Sequence, residues 1–140
     1  MADSAAFEEV TERLHARGLR MTKERQILLR TLAAGHRALT PQELYEEALK
    51  VGPVGLTTTY RIIDALVETG FAQVLLIDGV PNYCMCNPSH HHHLVCTGCH
   101  RVEAFAACEL DSAEIGDFHP TSHKIEIFGL CGACYQGGRS

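Results

Sequence analysis

Apolar residues recur at three- and four-residue spacing through the first half of the chain. Phe7, Val10 and Leu14 mark one face of a helix that Gly18 ends. Ile27, Leu28 and Leu32 repeat the pattern in a second helix that fades at Gly35. Thr40-Pro41-Gln42-Glu43 opens a third, because Thr caps well, Pro suits the first turn, and Glu three residues on completes a capping box. That helix runs through Leu44, Tyr45 and Leu49, and the glycines and proline of segment 51–55 break it. A fourth helix is predicted over 57–69. Ile62, Ile63, Leu66 and Val67 form its inner stripe, Thr58, Arg61, Ala65 and Glu68 the opposite face, and Gly70 its stop.

Two strands follow, over 71–77 and 80–86. Asp78-Gly79 joins them, a pair suited to a two-residue hairpin because both positions need positive φ. Helices followed by a hairpin predict a winged helix-turn-helix, with the fourth helix as reader of a DNA groove and the hairpin as wing. The second half has no comparable helical stretch. Short β-like runs at 91–95, 102–106 and 123–128 alternate with Cys, His and Gly. The fold class expected is therefore α+β. A winged-helix DNA-binding domain takes residues 1–86, a hinge 87–90, and a second, β-rich domain 91–140.

Composition narrows the function less than the pattern does. A hydrophobic share of 46% with 21% charged residues reads as globular. No apolar run approaches the roughly 20 residues of a membrane span, and no basic segment followed by an apolar one suggests a secretion signal. A cytoplasmic protein is expected, with no membrane and no small organic substrate among its partners. The net charge of −5 does not favour a nucleic-acid ligand. Residues 1–86 hold nine Lys/Arg against eleven Asp/Glu, and residues 87–140 hold three against six. Recognition of DNA must then rest on local geometry.

The chemistry lies in cysteine and histidine. In a reducing compartment, clustered cysteines more often bind metal than form disulfides. Cys96-Thr97-Gly98-Cys99 and Cys131-Gly132-Ala133-Cys134 present two thiolates each. Together they suit the tetrahedral preference of zinc, and four protein ligands leave no open position for catalysis. His90-His91-His92-His93 falls in a strand pattern, so His90 and His92 face one way and His91 and His93 the other. One strand can thus serve two metal sites. Cys86 before the run, and Asp111 and His123 after it, are candidate additional ligands. Cys84 shares the strand face of Cys86, and a thiolate biases a site toward zinc over manganese or iron.

Three segments resemble the ferric uptake regulator family. They are Gly55-Leu56-Thr57-Thr58-Thr59-Tyr60-Arg61, the histidine run leading into Leu94-Val95-Cys96-x-x-Cys99, and His123-x-Ile125-Glu126-Ile127-Phe128-Gly129-x-Cys131-x-x-Cys134. The last segment, with Cys86 five residues before His91, is most similar to the family's zinc uptake regulator branch. The resemblance implies a homodimer on double-stranded operator DNA. It implies that Thr58, Tyr60 and Arg61 lie at the DNA surface and that Arg20 and Lys23 contact phosphates. It implies a structural zinc at Cys96, Cys99, Cys131 and Cys134, a sensing site at Cys86, His91 and His93, and a second regulatory site at His90, His92, Asp111 and His123.

Three departures qualify these implications. The zinc branch usually has an acidic fourth sensing ligand where this chain has Gln73, so Asp78, Cys84, Gln73 itself or water remains open. The acid of the second site is usually Glu, here Asp111, with Glu109 and Glu114 as alternatives. Segment 105–123 is also shorter than usual. The function expected is a zinc-sensing transcriptional repressor. Alternatives are an iron, manganese or peroxide sensor of the same family, a zinc-storage protein, or a zinc hydrolase, which needs an open metal position and a general base.

Overall fold

The capping box at Thr40 forms as the sequence predicts. Thr40 Oγ1 accepts from Glu43 N–H at 3.1 Å, and Glu43 Oε1 accepts from Thr40 N–H at 3.0 Å. In the computed structural model, residues 4–34, 36–86, 91–105, 115–121 and 123–137 are described. They fall into two compact units, Met1–Pro88 and Ser89–Ser140, and the fold class is α+β.

The first unit contains α1 (Ser4–Ala16), α2 (Lys23–Ala34), α3 (Pro41–Leu49) and α4 (Leu56–Thr69), then β1 (Ala72–Ile77) and β2 (Val80–Met85). Leu14, Leu28, Leu29, Leu32, Leu44, Ile62, Ile63 and Leu66 form one buried cluster. Each contributes about 1.5–3 kcal/mol by leaving water. The centre is α4, which packs against α1, α2, α3 and β1. This enclosure corrects the predicted helix faces. Ala65, expected outward, is buried, while Val67, expected inward, is 37% exposed. Gly70 ends α4 in the left-handed conformation that glycine adopts without strain (φ 87°).

The β1–β2 hairpin is antiparallel, with Ala72 opposite Met85 and Ile77 opposite Val80. Asp78 and Gly79 have φ of 53° and 79°, the positive pair a tight hairpin demands. Leu39 joins the outer edge of β2: Leu39 N–H donates to Tyr83 O at 2.9 Å and Tyr83 N–H to Leu39 O at 2.7 Å.

The second unit contains β3 (His92–Cys96), β4 (Val102–Phe105) and β5 (Glu126–Gly129), with β3 central, antiparallel to β4 and parallel to β5. A short helix α5 (Gly132–Gln136) follows, which the sequence pattern did not predict. Its N-cap is Cys131, so metal-ligand spacing masks the helical signal. Among the described residues, no helix is long and apolar enough to cross a membrane.

Candidate metal centres and nucleic-acid surface

The four cysteines of the two Cys-x-x-Cys turns come together. Their sulfurs all lie within 4.8 Å of one another, and Cys99 Sγ is 3.9 Å from Cys131 Sγ. A tetrahedron with metal–sulfur bonds of about 2.3 Å has sulfur–sulfur edges of about 3.8 Å, so the group fits zinc. Cys96 ends β3, and Cys131 and Cys134 belong to the start of α5. Backbone N–H groups of Gly98, Cys99 and Cys131 donate to Cys96 Sγ at 3.3, 3.4 and 3.3 Å. These donors, that of Cys131 foremost, lower the Cys96 thiol to about 6, so it is a thiolate at neutral pH. Cys134 is pushed up to about 12 by hydrogen bonding with the neighbouring cysteines, Cys96 first. Without a cation, four thiolates cannot all ionise together; a divalent cation removes that conflict.

Gly98 is needed for space. A Cβ there would lie 3.0 Å from Cys134 Sγ and 3.3 Å from its Cβ. The sequence shows this glycine only as the third residue of a common turn. The three amide donors to Cys96 were not anticipated.

The histidine run divides as strand alternation predicts: His93 converges with His91, and His92 meets His123 instead. His92 and His93 are both buried, because β3 is the middle strand. His91 Nε2 and His93 Nε2 converge at 3.2 Å, with rings edge-to-face at 4.7 Å. Two imidazoles on a zinc with bonds of about 2.0–2.1 Å stand about 3.3 Å apart, so this pair also fits a cation. Burial first, then His91, Lys124 and His92, lowers His93 to about 4. It is neutral at pH 7, as a ligand must be.

His92 Nδ1 accepts from Ile125 N–H at 3.1 Å, so any metal bond from His92 is through Nε2. Its ring stacks on His123 at 5.2 Å. The structure therefore brings together two of the four residues expected at the second site. The other two, His90 and Asp111, lie outside the described residues, as do Glu109 and Glu114. Cys86 follows β2, is half-buried, and anchors its N–H on Phe71 O at 2.8 Å. Of the alternative fourth ligands, Gln73 and Cys84 face each other across the hairpin and Asp78 is in its turn.

The expected DNA-contact residues are available on the first unit. Tyr60 is 47% exposed, Arg61, Arg20 and Lys23 are exposed, and Thr58 is half-buried in the first turn of α4. The wing strands carry no Lys or Arg; Arg20 lies in the loop before α2 and Lys23 opens that helix.

Comparison with known proteins agrees with this construction. The family model of the ferric uptake regulator family matches residues 16–128. The zinc uptake regulation protein of Mycobacterium tuberculosis is 37% identical over 131 residues, 86% of this chain and 98% of that protein. The ferric uptake regulation protein of Campylobacter upsaliensis is 31% identical over 137 residues, 91% of this chain and 88% of that protein. Among solved structures, holo XcZur superposes with a TM-score of 0.67 at 25% identity, over 96% of this chain and 99% of that one.

Proposed function

This chain belongs to the ferric uptake regulator family of metal-responsive, DNA-binding transcriptional regulators, and on that premise we propose that it is a zinc-sensing repressor. It acts in the cytoplasm as a homodimer that binds double-stranded operator DNA when its sensing ligands hold zinc. Residues 1–86 form the DNA-binding domain, 87–90 the hinge and 91–140 the dimerisation domain. Thr58, Tyr60 and Arg61 face the major groove, and Arg20 and Lys23 meet the phosphates.

The observation that carries the choice of metal is the donor chemistry. His91 and His93 offer two converging, neutral imidazole nitrogens. Cys86 offers a thiolate, a soft ligand that suits zinc better than manganese or iron. Bound at this set, zinc supplies charge neutralisation and a cross-link, with no redox step. Cys86 precedes the hinge and His91 and His93 follow it, so sharing one cation restricts the hinge. Restriction favours the dimer geometry that matches successive major grooves. Coupling of about 1–3 kcal/mol per site, doubled by symmetry, corresponds to about thirtyfold or more in DNA affinity.

Cys96, Cys99, Cys131 and Cys134 hold a structural zinc, a closed site with no position for substrate. His90, His92, Asp111 and His123 form the second regulatory site; His92 and His123 already stack. Leu94, Ile127 and Phe128 are 39–50% exposed on the sheet of the second unit, which supports a partner subunit covering them.

A second reading, an iron sensor, draws on the likeness to the Campylobacter protein. One experiment separates the two. Binding to DNA from upstream of the chain's own gene is measured at fixed salt under buffered zinc, iron(II) and manganese(II). Onset at trace zinc is the expected result. Onset only with iron or manganese moves the chain to another branch of the family. The Cys86→Ser variant should remain a dimer and lose the zinc response; an unchanged response removes Cys86 from the sensing set.

A further inference from the structure

The entrance to α4 is built without the usual cap. Its N-cap residue is Gly55, which has no side chain, and no side-chain cap hydrogen bond is made there. In a capping box, the N3 acid accepts from the N-cap N–H, but the N3 residue here is Thr58. The missing acid comes from another helix. Glu24, second residue of α2, accepts the Gly55 N–H through Oε1 at 3.0 Å, across 31 residues of sequence.

Two further facts make this contact more than a repair. Glu24 sits in the first turn of α2 and beside the first turn of α4, so its charge is favourable to both helix dipoles. It also lies among residues expected to meet DNA. Lys23, Glu24, Ile27, Pro53, Val54, Gly55 and Thr58 line one cleft of about 440 Å³, and Leu56, Thr57, Tyr60 and Arg61 are exposed on the next turns. A carboxylate at a phosphate-facing surface weakens sequence-independent attraction. Its presence there calls for a compensating task.

We propose that Glu24 is a positioning residue for DNA recognition: through Gly55 it sets the angle and depth at which the first turn of α4 enters the major groove. Its charge lowers attraction to all DNA, while its hydrogen bond holds the helix in the geometry that reads one sequence. Glu24 thus raises specificity by both routes. The proposal rests on the reading of α4 as the DNA reader.

The test uses full-length, zinc-loaded protein, an operator duplex and a scrambled duplex at the same salt. Glu24→Gln keeps an acceptor oxygen and removes the charge; Glu24→Ala removes both. Glu24→Ala is expected to bind operator about tenfold more weakly while binding scrambled DNA at least as well as the unchanged protein. Glu24→Gln is expected to hold operator affinity within about twofold, because its amide oxygen still accepts from Gly55. An equal fall in both variants, or an unchanged ratio of operator to scrambled binding in Glu24→Ala, overturns the proposal. A parallel fall on both duplexes does so too, since specificity is then unchanged. Zinc-independent operator binding by the unchanged protein bears on the sensing reading alone; failure to bind any duplex would overturn both.

Discussion

Replacing Cys131 with serine should melt the second unit and leave the first intact. Among the described residues of the second unit, the apolar side chains that are nearly fully buried are Val95 and Cys96. Burying one valine contributes about 1.5–3 kcal/mol. A structural zinc in a small domain contributes about 10–16 kcal/mol at neutral pH. The metal therefore dominates, and removing one of four thiolates, about a quarter of that, should forfeit about 2.5–4 kcal/mol, roughly seventyfold to a thousandfold in an opening equilibrium. Hydrogen exchange on full-length protein resolves the two units. Protection across His92–Cys96 and Glu126–Gly129 should fall by about that factor in Cys131→Ser. Protection across Leu56–Thr69 should hold, because the cluster around Leu28, Ile62 and Leu66 owes nothing to the metal. Unchanged protection in β3 and β5, or loss in α4 of the same size, would refute the reasoning.

Three other outcomes follow from specific contacts. Gly98→Ala forces a Cβ to 3.0 Å from Cys134 Sγ, so zinc should transfer to a chromogenic chelator about tenfold faster than from the unchanged protein. Thr40→Ala removes the reciprocal cap of α3 and should cost about 1 kcal/mol, read as a lower denaturation midpoint of the first unit with unchanged slope. The third concerns His93, with the four-cysteine site loaded and the histidine pair metal-free. Its folded pKa is about 4 against 6.5, so its contribution to stability is present above pH 6.5 and lost as pH falls toward 4. The slope from this one proton is at most about 1.4 kcal/mol per pH unit, and a denaturation series in His93→Gln should be flatter by that amount.

What was legible in the sequence was local chemistry. Thr40 with Glu43, Asp78 with Gly79, and each Cys-x-x-Cys turn specify their own geometry within four residues. Apart from the joining of the two Cys-x-x-Cys turns, pairings across the chain were not legible. The faces of α4 were misassigned at Ala65 and Val67 because periodicity assumes one buried side, whereas four elements surround this helix. Strand alternation rightly separated His92 from His93, but it gave no sign that both would be buried. Neither the parallel pairing of β3 with β5 nor the reach of Glu24 to Gly55 leaves a periodic trace. The site was more readable than the fold around it, since ligand types at fixed spacing carry their meaning without tertiary context.

The backbone bridge between Leu39 and Tyr83 has a mechanical consequence. Two hydrogen bonds, at 2.9 and 2.7 Å, fasten the outer strand of the hairpin to the residue just before the capping threonine of α3. Cys86 lies three residues beyond Tyr83 on the same run of chain. Load applied at Cys86 therefore does not bend a loose flap. It passes along an extended strand, which is stiff in tension, and enters the corner between α2 and α3. Hairpin and helical corner are tied by these two bonds, so a displacement of the strand is expected to be shared with the start of α3 instead of being confined to the wing.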